Sequence, residues 1–206
     1  MPPLTPDIPA APLFGEPVTQ HPSHDVLDFL ATRRSASAVK LIAPGPDRAE
    51  VETLVRLASR VPDHGKLAPW RFIVLETRAK AEFADGLEAL AIAKGDSIAA
   101  GKLAKVRAPP LAIAVVSSPR TGKIPEWEQR LSAGAVCTTL LYAGLAMGYG
   151  ANWITDWYSY DAQAAALLGL TETERVAGFI LLGTAPEPPH ERERPDPVAL
   201  VTYWRG

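Results

Sequence analysis

Apolar positions along the chain alternate between helical and strand rhythms. Val51, Leu54, Val55 and Ala58 recur at i, i+3, i+4 and i+7, the stripe of an amphipathic helix. Asp47, three residues ahead of Glu50, gives that helix a variant of the capping box. Ser23 heads an earlier helix through Asp25, Val26, Leu27, Leu30 and Ala31, ending near Arg33-Arg34-Ser35. Phe83, Leu87, Leu90 and Ala91 share one face of a helix over 78–94. Pro125 marks another helix start, and residues 127–147 are then apolar or small on nearly every side. Such a helix belongs in a core or a large interface. Its small residues, Ala133, Gly134, Ala135 and Gly144 among them, make it the expected seam of a dimer. A short helix over 161–168 is closed by Gly169.

Strand signals lie between these helices. Residues 70–75 are almost continuously apolar after Arg71, which predicts a central, buried strand. Residues 111–116 and 176–182 read the same way, 151–155 is a shorter strand, and 200–204 is an expected last strand at an edge. Helices and strands are interspersed, so the class is α/β or α+β. Residues 1–22 carry Pro2, Pro3, Pro6, Pro9, Pro12, Pro17 and Pro22 and predict an extended arm, either a disordered tail or a segment packed on a partner. Residues 23–206 then form a single domain.

Composition narrows the function. Hydrophobic residues are 47% of the 206, enough for a core without staples. The net charge of −2 predicts no long-range attraction to nucleic acid or to an anionic membrane. No run approaches the ~20 apolar residues of a membrane span, and no secretory signal opens the chain. Cys137 is the only cysteine, which excludes an internal disulfide. A cytoplasmic protein is expected. Gly95 and Gly101 flank five residues where a phosphate loop has four, and Leu103 stands where a magnesium-binding hydroxyl belongs. There is neither a G-x-G-x-x-G nor a G-x-S-x-G motif. His21 and His24 lack partners for a metal site, so none is expected. Cys137, in a buried apolar helix, reads as a small hydrophobe.

Two polar clusters stand where packing does not call for them. Arg33-Arg34-Ser35 closes the first helix, and Arg60-Val61-Pro62-Asp63-His64 breaks the second. Guanidinium forks beside a hydroxyl suit a phosphate, because they bind its oxygens in pairs. Arg33-Arg34-Ser35-Ala36-Ser37, then Arg60 to His64, then Ala68-Pro69-Trp70-Arg71-Phe72 resembles the opening of nitroreductase-family flavoproteins. The likeness continues through Pro125-Glu126-Trp127-Glu128-Gln129, Gly148-Tyr149-Gly150-Ala151-Asn152-Trp153 and Gly178-Phe179-Ile180-Leu181-Leu182-Gly183-Thr184. It spans roughly residues 23–204 and is strongest to the small bacterial members of that family.

The resemblance implies an α+β fold, with a mainly antiparallel sheet flanked by helices, in an intertwined homodimer with FMN at the subunit interface. It assigns Arg33, Arg34 and Ser35 to the FMN phosphate and ribityl chain. Arg60 and His64 would meet the flavin, and Trp153, Ile154 and Thr155 would line its ring. Ala143, Gly144, Leu145, Ala146, Met147 and Gly148 would contact NAD(P), although they also read as a tightly packed helix end. Arg192 and Arg194 are loose candidates for the phosphate. The implied activity is hydride transfer from NADH or NADPH through flavin N5 to nitroaromatic, quinone or similar small acceptors, by alternating turns at one site, with no catalytic side chain assigned. The alternatives are a non-catalytic flavin-binding protein and a relative with specialised flavin chemistry.

Overall fold

In the computed structural model, which describes residues 8–206, the apolar segments assemble into one antiparallel sheet. Its strands are β1 (Trp70–Leu75), β2 (Leu111–Ser117), β3 (Gly150–Ile154) and β4 (Arg175–Gly183), in the order β1-β2-β4-β3. All seven residues of β2 are buried, as are six from Gly178 to Gly183 in β4. Their runs are continuously apolar because both faces are covered by helices. The register sets Ile113 opposite Ile180 and Ala114 opposite Phe179, with an irregularity between Val115 and Val116.

The two faces pack differently. Leu111, Ile113, Val115, Ile180 and Leu182 meet helix α2 (Arg48–Ala58) and the long helix α6 (Glu126–Ala146). Ala112, Ala114, Phe179 and Leu181 meet α3 (Thr77–Ala93), α5 (Ala104–Arg107) and α7 (Ala162–Leu167). Small Ala112 and Ala114 leave room there for Phe83 and Phe179 to stack with centroids 5.9 Å apart. The architecture is therefore a three-layer α+β sandwich. On the other face α6 comes very close to the sheet, because a Cβ at Gly144 would lie 2.5 Å from Leu182 Cδ2.

Local signals account for the helix ends. The Ser23 hydroxyl accepts from Val26 N–H at the start of α1 (His24–Thr32). Asp47 and Glu50 form the full reciprocal capping box, and Glu50 also accepts from the Tyr149 hydroxyl at 2.7 Å. Gly169 ends α7 with φ of +65°, a backbone shape that costs glycine nothing. Residues 95–103 hold a glycine turn and the short helix α4 (Ser97–Gly101), not a phosphate loop.

Two expectations need correction. β1 is the outer strand of the sheet, half-buried along most of its length, because α3 and the α2 face cover it only partly. No strand forms at 200–204; a short turn over Val198–Leu200 is followed by exposed, irregular chain with Tyr203 and Trp204 in solvent. Helix α6 has a buried face and an open one, with Trp127 and Leu131 exposed and Gly134, Ala135 and Tyr142 half-buried. The proline-rich arm falls partly outside the described residues. From residue 8 it runs without helix or strand, with Ile8 against the α2 side of the core and Pro9 O accepting from Arg56 Nη1.

One buried carboxylate ties the outer strand to the far end of the fold. Arg71 of β1 donates from Nε and Nη2 to Glu174, at 2.6 and 2.9 Å, and Glu174 also accepts from Thr171 N–H. The Arg71 hydrogen bonds hold the Glu174 carboxyl down to about 2, against the cost of its burial. A depressed carboxylate adds stability above its unfolded value, about 4.3. That contribution disappears as pH falls from there towards 2. Glu174→Gln is expected to cost about 1–3 kcal/mol at neutral pH. Urea unfolding should show the gap to the parent protein closing between pH 4.5 and pH 2.

Candidate functional site

The chain leaves α1 with Arg33 N–H donating to Phe29 O and then runs alongside the free edge of β3. Ala36 N–H donates to Ala151 O at 3.0 Å, and the Asn152 side-chain amide donates to Ala36 O. A β-bridge from Ile42 to Thr184 fixes the next few residues. These bonds hold residues 33–40 as one wall of a cavity of about 540 Å³, whose other wall is the proline-rich segment 185–194.

The cavity is strongly cationic. Arg33, Arg34, Lys40, Arg192 and Arg194 line it, and Glu187 is the one carboxylate among its lining residues. Arg33 Nη2 donates to Ser35 Oγ at 3.2 Å, while its Nε is buried with no hydrogen-bond partner. Arg34 Nε donates to His190 O at 2.8 Å and lies 3.6 Å from Glu191. Glu191 also accepts from Arg192 N–H, and pairs with Arg194 at 3.1 Å. The Arg192 N–H, with Arg194 and Arg34 nearby, holds the Glu191 carboxyl below its ordinary range. Lys40 faces Glu187 at 3.4 Å. Guanidinium forks, a hydroxyl and an ammonium around one hollow are a donor set whose chemistry suits a phosphate-like anion.

The second polar cluster is a separate structure. Ser132 Oγ donates to Pro62 O at 2.6 Å and His64 Nδ1 lies 2.7 Å from Glu128, so the loop is seated on α6. Gly65, Lys66 and Ala68 all have positive φ (76°, 53° and 45°), which strains the two non-glycine residues. The Asp63 carboxylate steadies the bend by accepting from Ala68 N–H at 2.8 Å. Arg60 and His64 are exposed, and neither lines the cavity of its own chain.

The β3 residues divide by strand alternation. Asn152 faces the cavity, whereas Trp153 turns to the α6 side and lies over Gly178, where a Cβ would come within 1.9 Å of its indole nitrogen. Ile154 joins the α3 side of the core and Thr155 is exposed beyond the strand end. None of Trp153, Ile154 and Thr155 lines the cavity. Of residues 143–148, Ala143, Gly144 and Met147 are buried against sheet and helix, while Leu145, Ala146 and Gly148 reach the surface.

The sequence reading did not single out Lys40, Asn152 or His190 for this cavity. Asn152 carries no signal of its own, since only the pairing of residue 36 with β3 brings it there. Lys40 and the 185–194 wall arrive through the Ile42–Thr184 bridge, a long-range contact. Burial pushes the Cys137 thiol up to about 12, so it stays protonated and unreactive. Among the described residues no three His, Cys, Asp or Glu side chains group as metal ligands, and no helix is long and apolar enough to cross a membrane.

The strained loop gives a direct check on this geometry. Asp63→Ala removes the acceptor that holds Ala68, at an expected cost of about 1 kcal/mol. Hydrogen exchange at Ala68 and tryptic cleavage after Lys66 should both accelerate severalfold, with the sheet amides unchanged.

Comparison with known proteins agrees with the architecture. The model of the nitroreductase family matches residues 30–184. The chain is 33% identical over 184 residues to the Escherichia coli K12 protein named "Putative NAD(P)H nitroreductase YdjA", covering 87% of this chain and 100% of that one. Among solved structures, a nitroreductase-like family protein from Bacillus cereus aligns with a TM-score of 0.75 at 17% identity, over 92% of this chain and 100% of its own. A nitroreductase with bound FMN from Bacteroides fragilis aligns with a TM-score of 0.70 at 16% identity, over 89% and 100%. By the family match across three quarters of its length, and by that relative across the whole of the relative's length, this chain belongs to the nitroreductase family, a family of oxidoreductases.

Proposed function

We propose that the chain binds FMN, with its phosphate in the cavity between residues 33–40 and 185–194, and uses it to reduce small acceptors with NADH or NADPH. The observation that carries this reading is Arg33, a cation beside Ser35 whose Nε the protein leaves buried and unpaired. A phosphate against its fork would satisfy a donor set that the chain leaves incomplete. Arg34 and Lys40 would add charge to the same oxygens, exchanging their glutamate partners for the phosphate. The relatives' names support the assignment, since one is named as an NAD(P)H nitroreductase and another structure holds FMN. When bound, FMN supplies the two-electron centre that takes hydride from a nicotinamide and passes it to a nitroaromatic, quinone or similar acceptor.

The remaining site residues have positional roles in this reading. Trp153, exposed and lying over Gly178 on the α6 face, would offer an apolar border to a planar ring, while Ile154 packs on the opposite face and Thr155 lies exposed beyond the strand end. Arg60, Pro62 and His64 lie outside the cavity of their own chain, so their contacts belong to a site completed by a second copy. Val26, Leu27 and Leu30 of α1 and Leu131 of α6 are exposed apolar side chains that such a homodimer would cover. Nicotinamide contacts within 143–148 fall to Leu145, Ala146 and Gly148, the three that reach the surface.

After incubation with FMN and desalting, the purified protein is expected to keep the yellow absorption bands of flavin and to bleach on addition of NADH or NADPH. Sedimentation should give twice the mass of one chain. Retained bands that never bleach would favour the non-catalytic reading, and loss of all flavin on desalting would refute the proposal. Arg33→Ala combined with Ser35→Ala should weaken FMN binding roughly a hundredfold while the dimer stays folded.

A further inference from the structure

Among the described residues four of the cavity's five cations are held in two different ways. Arg34, Lys40 and Arg194 each face a glutamate, whereas Arg33 faces a ring. Its guanidinium carbon lies 5.7 Å from the centre of the Tyr142 ring, on the open side of α6. Phe29 of α1 backs the same ring edge-on, at 5.5 Å and 81°. The side chain that opens the cavity wall therefore sits in a cluster with two aromatic rings, Tyr142 and Phe29.

A carboxylate would orient a guanidinium too, but it would neutralise it and compete with any incoming anion. The face of an aromatic ring attracts the cation through its quadrupole and takes none of its hydrogen-bond donors. Arg33 keeps its full charge, spends one donor on Ser35 and leaves Nε without an acceptor. The half-buried setting of Arg33 and Tyr142 strengthens the contact, because little water competes for the cation. Tyr142 belongs to none of the motifs that point to the cofactor, and it lies more than a hundred residues from Arg33 in sequence.

We infer that Tyr142 is a positioning residue for anion binding: its ring holds the Arg33 guanidinium toward the cavity in an un-neutralised state, and so sets the preference for a phosphorylated flavin over the same flavin without phosphate. This rests on the proposed phosphate site and adds to it a residue that never touches the phosphate.

The test is a pair of fluorescence titrations of the full-length apoprotein, with FMN and with riboflavin, which shares the ring system but has no phosphate. The parent protein should prefer FMN, and Arg33→Ala should lose much of that preference. Tyr142→Leu is expected to weaken FMN binding about 3- to 30-fold and leave riboflavin binding unchanged. Tyr142→Phe, which keeps the ring and drops only the hydroxyl, should bind FMN like the parent. If the leucine variant does not fold, Tyr142→Met removes the ring with a more adaptable side chain. A ringless variant with the parent's FMN-to-riboflavin ratio would overturn the inference, as would a phenylalanine variant that loses as much as leucine. If Arg33→Ala itself keeps the preference, the phosphate site is misplaced. If Arg33→Ala loses it while Tyr142→Leu keeps it, the site stands and the role of Tyr142 falls.

Discussion

Everything in the fold depends on β2 and β4 being buried on both faces. Two adjacent antiparallel strands that expose neither face force helices above and below, and they force close approach where the cover is tight. Gly144 shows how tight: α6 lies so near the sheet that a methyl group would meet Leu182. With the centre filled almost wholly by apolar side chains, the charged groups are displaced to the perimeter. The cationic cavity accordingly sits beside β3, an edge strand, where backbone groups remain free to hold a neighbouring segment.

That location explains how a cationic cavity forms without a glycine-rich loop or a long helix pointing at it. Residues 33–40 borrow rigidity from β3 through Ala36 and Asn152, and from the Ile42–Thr184 bridge. The opposite wall gains its stiffness from Pro186, Pro188 and Pro189, which have little conformational freedom to lose. Five cations held between two such walls repel one another. Glu187 and Glu191 offset that repulsion.

How far this was legible in the sequence follows from the range of each interaction. Helix periods, the Ser23 and Asp47 caps and the Gly169 stop are local, and each element formed where its pattern placed it. The antiparallel α+β class came from the family resemblance, because alternating helices and strands alone leave α/β equally open. Apolar content misread β1, since half-covered edge strands and central strands use the same residues. The 200–204 run is β-like in composition, but no strand among the described residues pairs with it. Arg33, Arg34 and Ser35 were readable as adjacent polar residues at a helix end. Asn152 and Lys40 in the cavity, and Tyr142 behind Arg33, were not, because each takes its place only through contacts distant in sequence.

The separation of the two polar clusters carries one more consequence. Arg33-Arg34-Ser35 and the Pro62–His64 bend were read together from sequence, yet a single chain keeps them on different supports, one along β3 and one on α6. The bend is strained at Lys66 and Ala68, and strain of order 1–3 kcal/mol per residue persists only where surrounding bonds over-determine it. Asp63, Ser132 and Glu128 supply those bonds, presenting Pro62 and His64 outward from the protomer. The loop packs on its own chain through Val61, but leaves Pro62 and His64 exposed. In the proposed homodimer a second copy would cover this bend together with the exposed apolar residues of α1 and α6.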